Sequence, residues 1–137
     1  MIKNGSFNAM KAAVITALLI SAALLILSCA LPYYSVKNLY DRSLGYIESA
    51  KQAALSGDME AAYLHSLSLV ETIEKGRNAL LLYYDHGDVA ELAGTADTAL
   101  DLAKARDAGL LLAALGDTEN MFLFLIEKSS ISIFNIF

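Results

Sequence analysis

A chain of 137 residues has room for one small domain and an anchor, but not for two independent cores. Its 56% hydrophobic content, eight Gly and single Pro suit long helices. They exclude a many-stranded sandwich, which needs turn signals roughly every 8–12 residues. Before Pro32 the only charged side chains are Lys3 and Lys11, whereas from Tyr33 onward 8 basic and 15 acidic residues leave a charge of −7. That balance excludes nucleic-acid binding by phosphate neutralisation and opposes adsorption to an anionic lipid surface. The lone Cys29 excludes an internal disulfide and any multi-cysteine metal site.

Residues 1–11 form a short N-terminal tail, expected in the cytoplasm. Ala12 to Leu31 follows, twenty residues without a charge. At about 1.5 Å per residue such a helix matches the ~30 Å hydrocarbon core of a bilayer. Lys11 flanks it on one side; Pro32, Tyr33, Tyr34 and Lys37 flank it on the other. Tyrosine favours the headgroup region, and Pro32 is placed to kink or end the helix there. A single transmembrane segment over 12–32 is therefore predicted. Its full spanning length favours a retained anchor. Two other fates are written in the same residues: cleavage after the small-x-small run Ser28-Cys29-Ala30, or lipidation of Cys29 through a lipobox-like Ile26-Leu27-Ser28-Cys29. Leu27 is bulkier than the residue usual at its place in a lipobox. Lys3 and Lys11 favour an inside N-terminus, and every fate leaves the bulk of the chain outside the cytoplasm; the retained anchor keeps it at the cell membrane.

The span 33–128 reads as a small antiparallel bundle of about four amphipathic helices. Val36, Leu39, Tyr40, Leu44, Ile47, Ala50 and Ala54 recur at steps of three and four and predict the first. Gly57 is suited to the position after its end and Asp58 to capping the next helix. A second helix is predicted from about Met59 to Tyr84, with Gly76 weakening its middle. The turn Asp85-His86-Gly87-Asp88 follows, in which Asp88 and Glu91 have the spacing of a capping box. Val89, Leu92, Ala93, Ala96, Leu100 and Ala103 predict the third helix. The stripe breaks at Arg106-Asp107 and resumes, one residue out of register, from Ala108 to Ile126. Gly57-Asp58, Gly87-Asp88 and Gly116-Asp117 also recur at a period near thirty, which reads as echoing helix punctuation, with stacked helical hairpins as the alternative.

The tail 129–137 is uncharged, β-branched and aromatic. Ile131, Ile133, Phe134, Asn135, Ile136 and Phe137 lack a helical period and read as an apolar segment that packs on its own bundle or docks on a partner.

Three short runs, Asp58-Met59-Glu60-Ala61-Ala62, Tyr83-Tyr84-Asp85-His86-Gly87-Asp88 and the ending Asn135-Ile136-Phe137, together resemble an uncharacterised bacterial family. Its members are about this size, with an N-terminal membrane helix, a short helical extracytoplasmic domain, an Asp-His turn and an Asn-Ile-hydrophobic ending. The resemblance spans essentially the whole chain. It implies this architecture and, through the polytopic membrane proteins such chains accompany, an accessory role; it implies no reaction. The family's usual Trp before the Asp-His turn is missing here, where Arg77-Asn78-Ala79 stands instead.

Tyr83, Tyr84, Asp85, His86 and Asp88 form the one polar constellation worth weighing as a site. A carboxylate beside an imidazole suits base catalysis or a pair of metal ligands. The structural alternative, with His86 and Asp88 capping the two helices that meet there, is favoured because no nucleophile or further ligand stands at a recognised spacing. No HExxH, CxxC or GxSxG run occurs. The residues thus predict an accessory or interaction protein, not an enzyme, with no cofactor and no nucleic acid. Its partner is expected to be another membrane protein or a second copy, and a sensor-like ligand-binding bundle is the alternative.

Overall fold

The computed structural model describes the backbone of residues 3–134 and the side-chain surroundings of residues 8–130. Four helices follow in order: α1 Lys3–Ser56, α2 Met59–Leu80, α3 His86–Lys104 and α4 Ala108–Phe134. They run up and down in turn. Around the resulting square, α1 packs on α2 and α4, and α3 packs on the same two. The expected all-helical bundle is present, with one change in how it starts.

That change is α1. The predicted anchor and the first bundle helix are one unbroken helix of 54 residues, about 80 Å long at 1.5 Å per residue. From residue 8 to Ser28 every side chain is exposed. Beyond Ser35 one face turns into core, with Val36, Leu39, Ile47, Ala50 and Ala54 buried. Pro32 lies inside the helix instead of ending it. It has no N–H for the Ser28 carbonyl, a defect worth roughly 3 kcal/mol in an isolated helix. Packing at and beyond the defect overrides that local penalty. The Tyr84 hydroxyl donates to the Pro32 carbonyl at 3.0 Å, and Val36, Leu39 and the turns above them are committed to the core.

The core holds Leu39, Ile47, Leu69, Ile73, Leu80, Leu92, Leu111, Leu115, Phe122 and Leu125 at 0–1% exposure. On α3 the buried face is largely Ala93, Ala96, Ala99 and Ala103, small enough for close approach of its neighbours. Gly76 has a similar role on α2. A Cβ there would stand 2.7 Å from Leu39 Cδ1, so the glycine is the seat of a core leucine as well as a weak point in helix propensity.

Two junctions use one device. At the end of α1, Gly57 has φ +81°, its N–H bonds Ala54 O, and the Asp58 N–H bonds Ala53 O. The Asp58 carboxylate then accepts from Ala61 N at 3.0 Å and caps α2. At the end of α3, Arg106 takes φ 56°, Arg106 N bonds Ala103 O and Asp107 N bonds Leu102 O. The Asp107 carboxylate accepts from Leu110 N and caps α4. Both are Schellman closures followed at once by an aspartate cap. The true structural echo is thus Gly57-Asp58 with Arg106-Asp107. Gly87-Asp88 falls in the first turn of α3 and Gly116-Asp117 inside α4, so the period near thirty is not a repeat of structure. A left-handed residue with a Cβ is strained, so Arg106→Gly is expected to raise stability by about 1 kcal/mol. The midpoint of thermal unfolding of the detergent-solubilised chain checks it.

Two boundaries move. The second helix stops at Leu80, because the turn Leu81–Tyr84 folds Tyr84 inward towards α1. The last helix continues through Ser129 to Phe134 where the sequence reading placed a non-helical tail. β-branched residues cost only a few tenths of a kcal/mol each in a helix, and extending a helix already anchored by packing needs no new nucleus. Both α1 and α4 are long and apolar enough to cross a membrane by length and composition. Much of α4, however, is committed to the bundle core.

Candidate functional site

The polar constellation read from the sequence lies at the end of the bundle from which the bare half of α1 projects. Asp85 is the N-cap of α3, with extended backbone at φ −62° and ψ 145°, and His86 is the first helical residue. Asp88 therefore sits in the first turn and is not the cap, and His86 does not close α2. The capping-box reading of Asp88 and Glu91 is corrected accordingly. The cap moves three residues back because the inward turn at Tyr84 leaves the chain extended at Asp85.

Both carboxylates turn to α4. Lys128 Nζ lies 3.1 Å from Asp85 Oδ2 and 2.5 Å from Asp88 Oδ2. Asp88 first and Asp85 second hold the Lys128 ammonium above the usual lysine range. Acidic groups in the first turn of α3 also complement its dipole. The imidazole of His86 is exposed and no hydrogen bond reaches it from either carboxylate, so the two halves of an acid–base pair are not brought together. Among the described residues no cluster of three His, Cys, Asp or Glu could hold a metal ion.

Tyr84 is buried and Tyr83 lies at the surface. Burial pushes the Tyr84 hydroxyl up from the ordinary tyrosine value, partly offset by Ser129 and Lys128. Together with Ser28, Cys29, Pro32, Lys128 and Ser129 the two tyrosines line a cavity of about 180 Å³. Cys29 is a half-buried free thiol on that wall. A second depression of about 400 Å³ opens between α1 and α2 at the same end, walled by Leu31, Tyr34, Arg42, Ala79, Leu82 and Tyr83 with Gly76 at its floor.

Sequence reasoning missed Lys128, Ser129 and Pro32 as partners of this turn. Antiparallel return of α4 along α1 brings them there, a register also marked by Lys51–Glu119 at 2.7 Å and by the Tyr40 and Phe122 rings 5.6 Å apart. The signal available was that Lys128 is the last charge before an uncharged run. Of the tail, the side chains of Ile131, Ile133 and Phe134 and all of Asn135, Ile136 and Phe137 lie outside the described residues.

Tyr84→Phe removes the bond to Pro32 and is expected to cost about 1 kcal/mol. The raised Tyr84 value also fixes a sign. The folded chain holds this proton more tightly than the unfolded one, so the contribution is complete below the ordinary value of 10.0 and is lost as pH rises through the folded value. Stability of the parent chain measured above pH 10.0 should fall more steeply than that of Tyr84→Phe.

No family model matches the chain, and no curated protein or solved structure matches it.

Proposed function

We propose that the chain is a membrane-anchored helical accessory protein. Its bundle stands on the extracytoplasmic side and binds another membrane protein. The observation that carries this is the continuity of α1: a 20-residue charge-free stretch, exposed from Ala12 to Ser28, runs on without a break into the core of an acidic bundle. A water-exposed helix of that composition has no stable place in solution, whereas a bilayer covers it at the right length. Lys3 and Lys11 support an inside N-terminus. The resemblance to an uncharacterised bacterial family of this architecture supports the same reading.

We assign no reaction. The two carboxylates of the Asp-His turn are engaged by Lys128, and the imidazole stands apart from them. A sensor-like bundle is the second reading and rests on the 400 Å³ depression between α1 and α2, which has the volume of a small-molecule site.

Crosslinking in the native cells, followed by identification of what co-purifies, tests the two. A polytopic membrane protein recovered reproducibly, and lost when residues 133–137 are removed, supports the accessory role and gives the tail its task. Recovery of the chain alone overturns the partner assignment and leaves the depression as the site to pursue.

A further inference from the structure

Three segments far apart in sequence meet at one end of the bundle, and all three lack charge. They are Leu31–Ser35 on α1, Leu80–Tyr84 between α2 and α3, and the run from Ser129 onward on α4. Four of the seven tyrosines, Tyr33, Tyr34, Tyr83 and Tyr84, belong to this end. Its surface carries large apolar groups in the open: Leu82 is 76% exposed and Tyr34 67%, with Leu31 and Tyr83 beside them around the α1–α2 depression. The charges beside it are Lys128, paired with Asp85 and Asp88, Lys37, paired with Asp41, and Arg42 on the wall of the depression.

The height of this end along α1 decides what covers it. Tyr84 bonds the carbonyl of Pro32, the residue directly after the charge-free stretch. Tyr83, Lys128 and Ser129 share a cavity with Ser28 and Cys29, which lie inside that stretch. Ser28 is three residues before Leu31, roughly 5 Å along a helix axis. The turn between α2 and α3 and the lower part of α4 therefore overlap the last turn of the spanning segment. They do not stand off from it on a stalk. α4 is helical onward to Phe134, so its uncharged run starts at this same level.

We infer that this end of the bundle is a lipid seat. Leu82, Tyr83 and Tyr34 rest in the headgroup and upper acyl region of the same bilayer that α1 crosses, giving the chain a second membrane contact built from the turn between α2 and α3. Tyrosines with an apolar body and a polar tip suit that layer. The inference rests on the anchor reading of α1, and the test separates the two.

The sequence holds no Trp, so single tryptophans report cleanly. Three full-length variants, Leu18→Trp in the bare half of α1, Leu82→Trp in the seat and Leu55→Trp at the opposite end of the bundle, are reconstituted into phosphatidylcholine vesicles with brominated acyl chains. All three positions are exposed, so the fold tolerates the change. Loss of emission from Leu18→Trp and Leu82→Trp, with Leu55→Trp unaffected, is the expected result. Quenching of Leu18→Trp alone overturns the seat and leaves the anchor standing. If Leu18→Trp keeps its emission, the anchor itself fails and the seat with it.

Discussion

Phe122→Ala should destabilise the bundle by about 3–5 kcal/mol, the largest loss expected of any single truncation in the core. Phe122 is fully buried on α4, and its ring lies 5.6 Å from that of Tyr40 on α1, tilted by 55°. Alanine would leave a cavity the size of the ring and remove a ring pair worth roughly 0.5–1.5 kcal/mol beyond its area. A domain of this size has a total stability of only about 5–15 kcal/mol, so the variant approaches the threshold of folding. Phe124, two residues on, points outward at 48% exposure; Phe124→Ala should stay within about 0.5 kcal/mol of the parent. Thermal unfolding of both variants in detergent, followed by circular dichroism, makes the comparison. Equal midpoints would mean that α4 does not pack on α1 by this face.

The second large effect belongs to the bare half of α1. Leu19→Arg places a charge near the middle of the stretch from Ala12 to Leu31, on a side chain 66% exposed. An arginine at the centre of a spanning helix costs about 2.5–3.5 kcal/mol on insertion scales, while each Leu, Ile or Val contributes roughly 0.3–0.6 kcal/mol. The stretch has ten such residues, so one substitution cancels much of what drives insertion. The variant is expected to leave the membrane fraction in proportion, with the bundle still folded because no core residue has changed. Retention equal to the parent would argue against insertion of this stretch.

The helices were legible because their apolar stripes are regular. Every residue in the predicted stripes of the first and third helices is buried or half-buried, and the break at Arg106-Asp107 falls at the observed junction. What the sequence concealed depends on distant contacts. Pro32 reads as a stop by local chemistry, and only Tyr84, 52 residues away, supports the helix through it. Gly76 reads as a weak point until Leu39 is seen lying on it. Arg106 takes a backbone conformation that a search for glycine passes over. Alternation of Ile131 and Ile133 suggests a non-helical tail, whereas the helix as far as Phe134 is inherited from the packed turns before it. The candidate site was legible as a turn and opaque as an assembly. Asp85 and Asp88 were visible, but their cation comes from Lys128, about forty residues downstream on a returning helix.

The central claim is that α1 remains whole, half in the bilayer and half in the bundle. The intact mass of the protein recovered from carbonate-washed membranes of its own cells tests it most directly. The account predicts a membrane-retained chain that still carries residues 12–31, with Cys29 unmodified. A chain released by carbonate, or one beginning at a lipidated Cys29 or after Ala30, would contradict it.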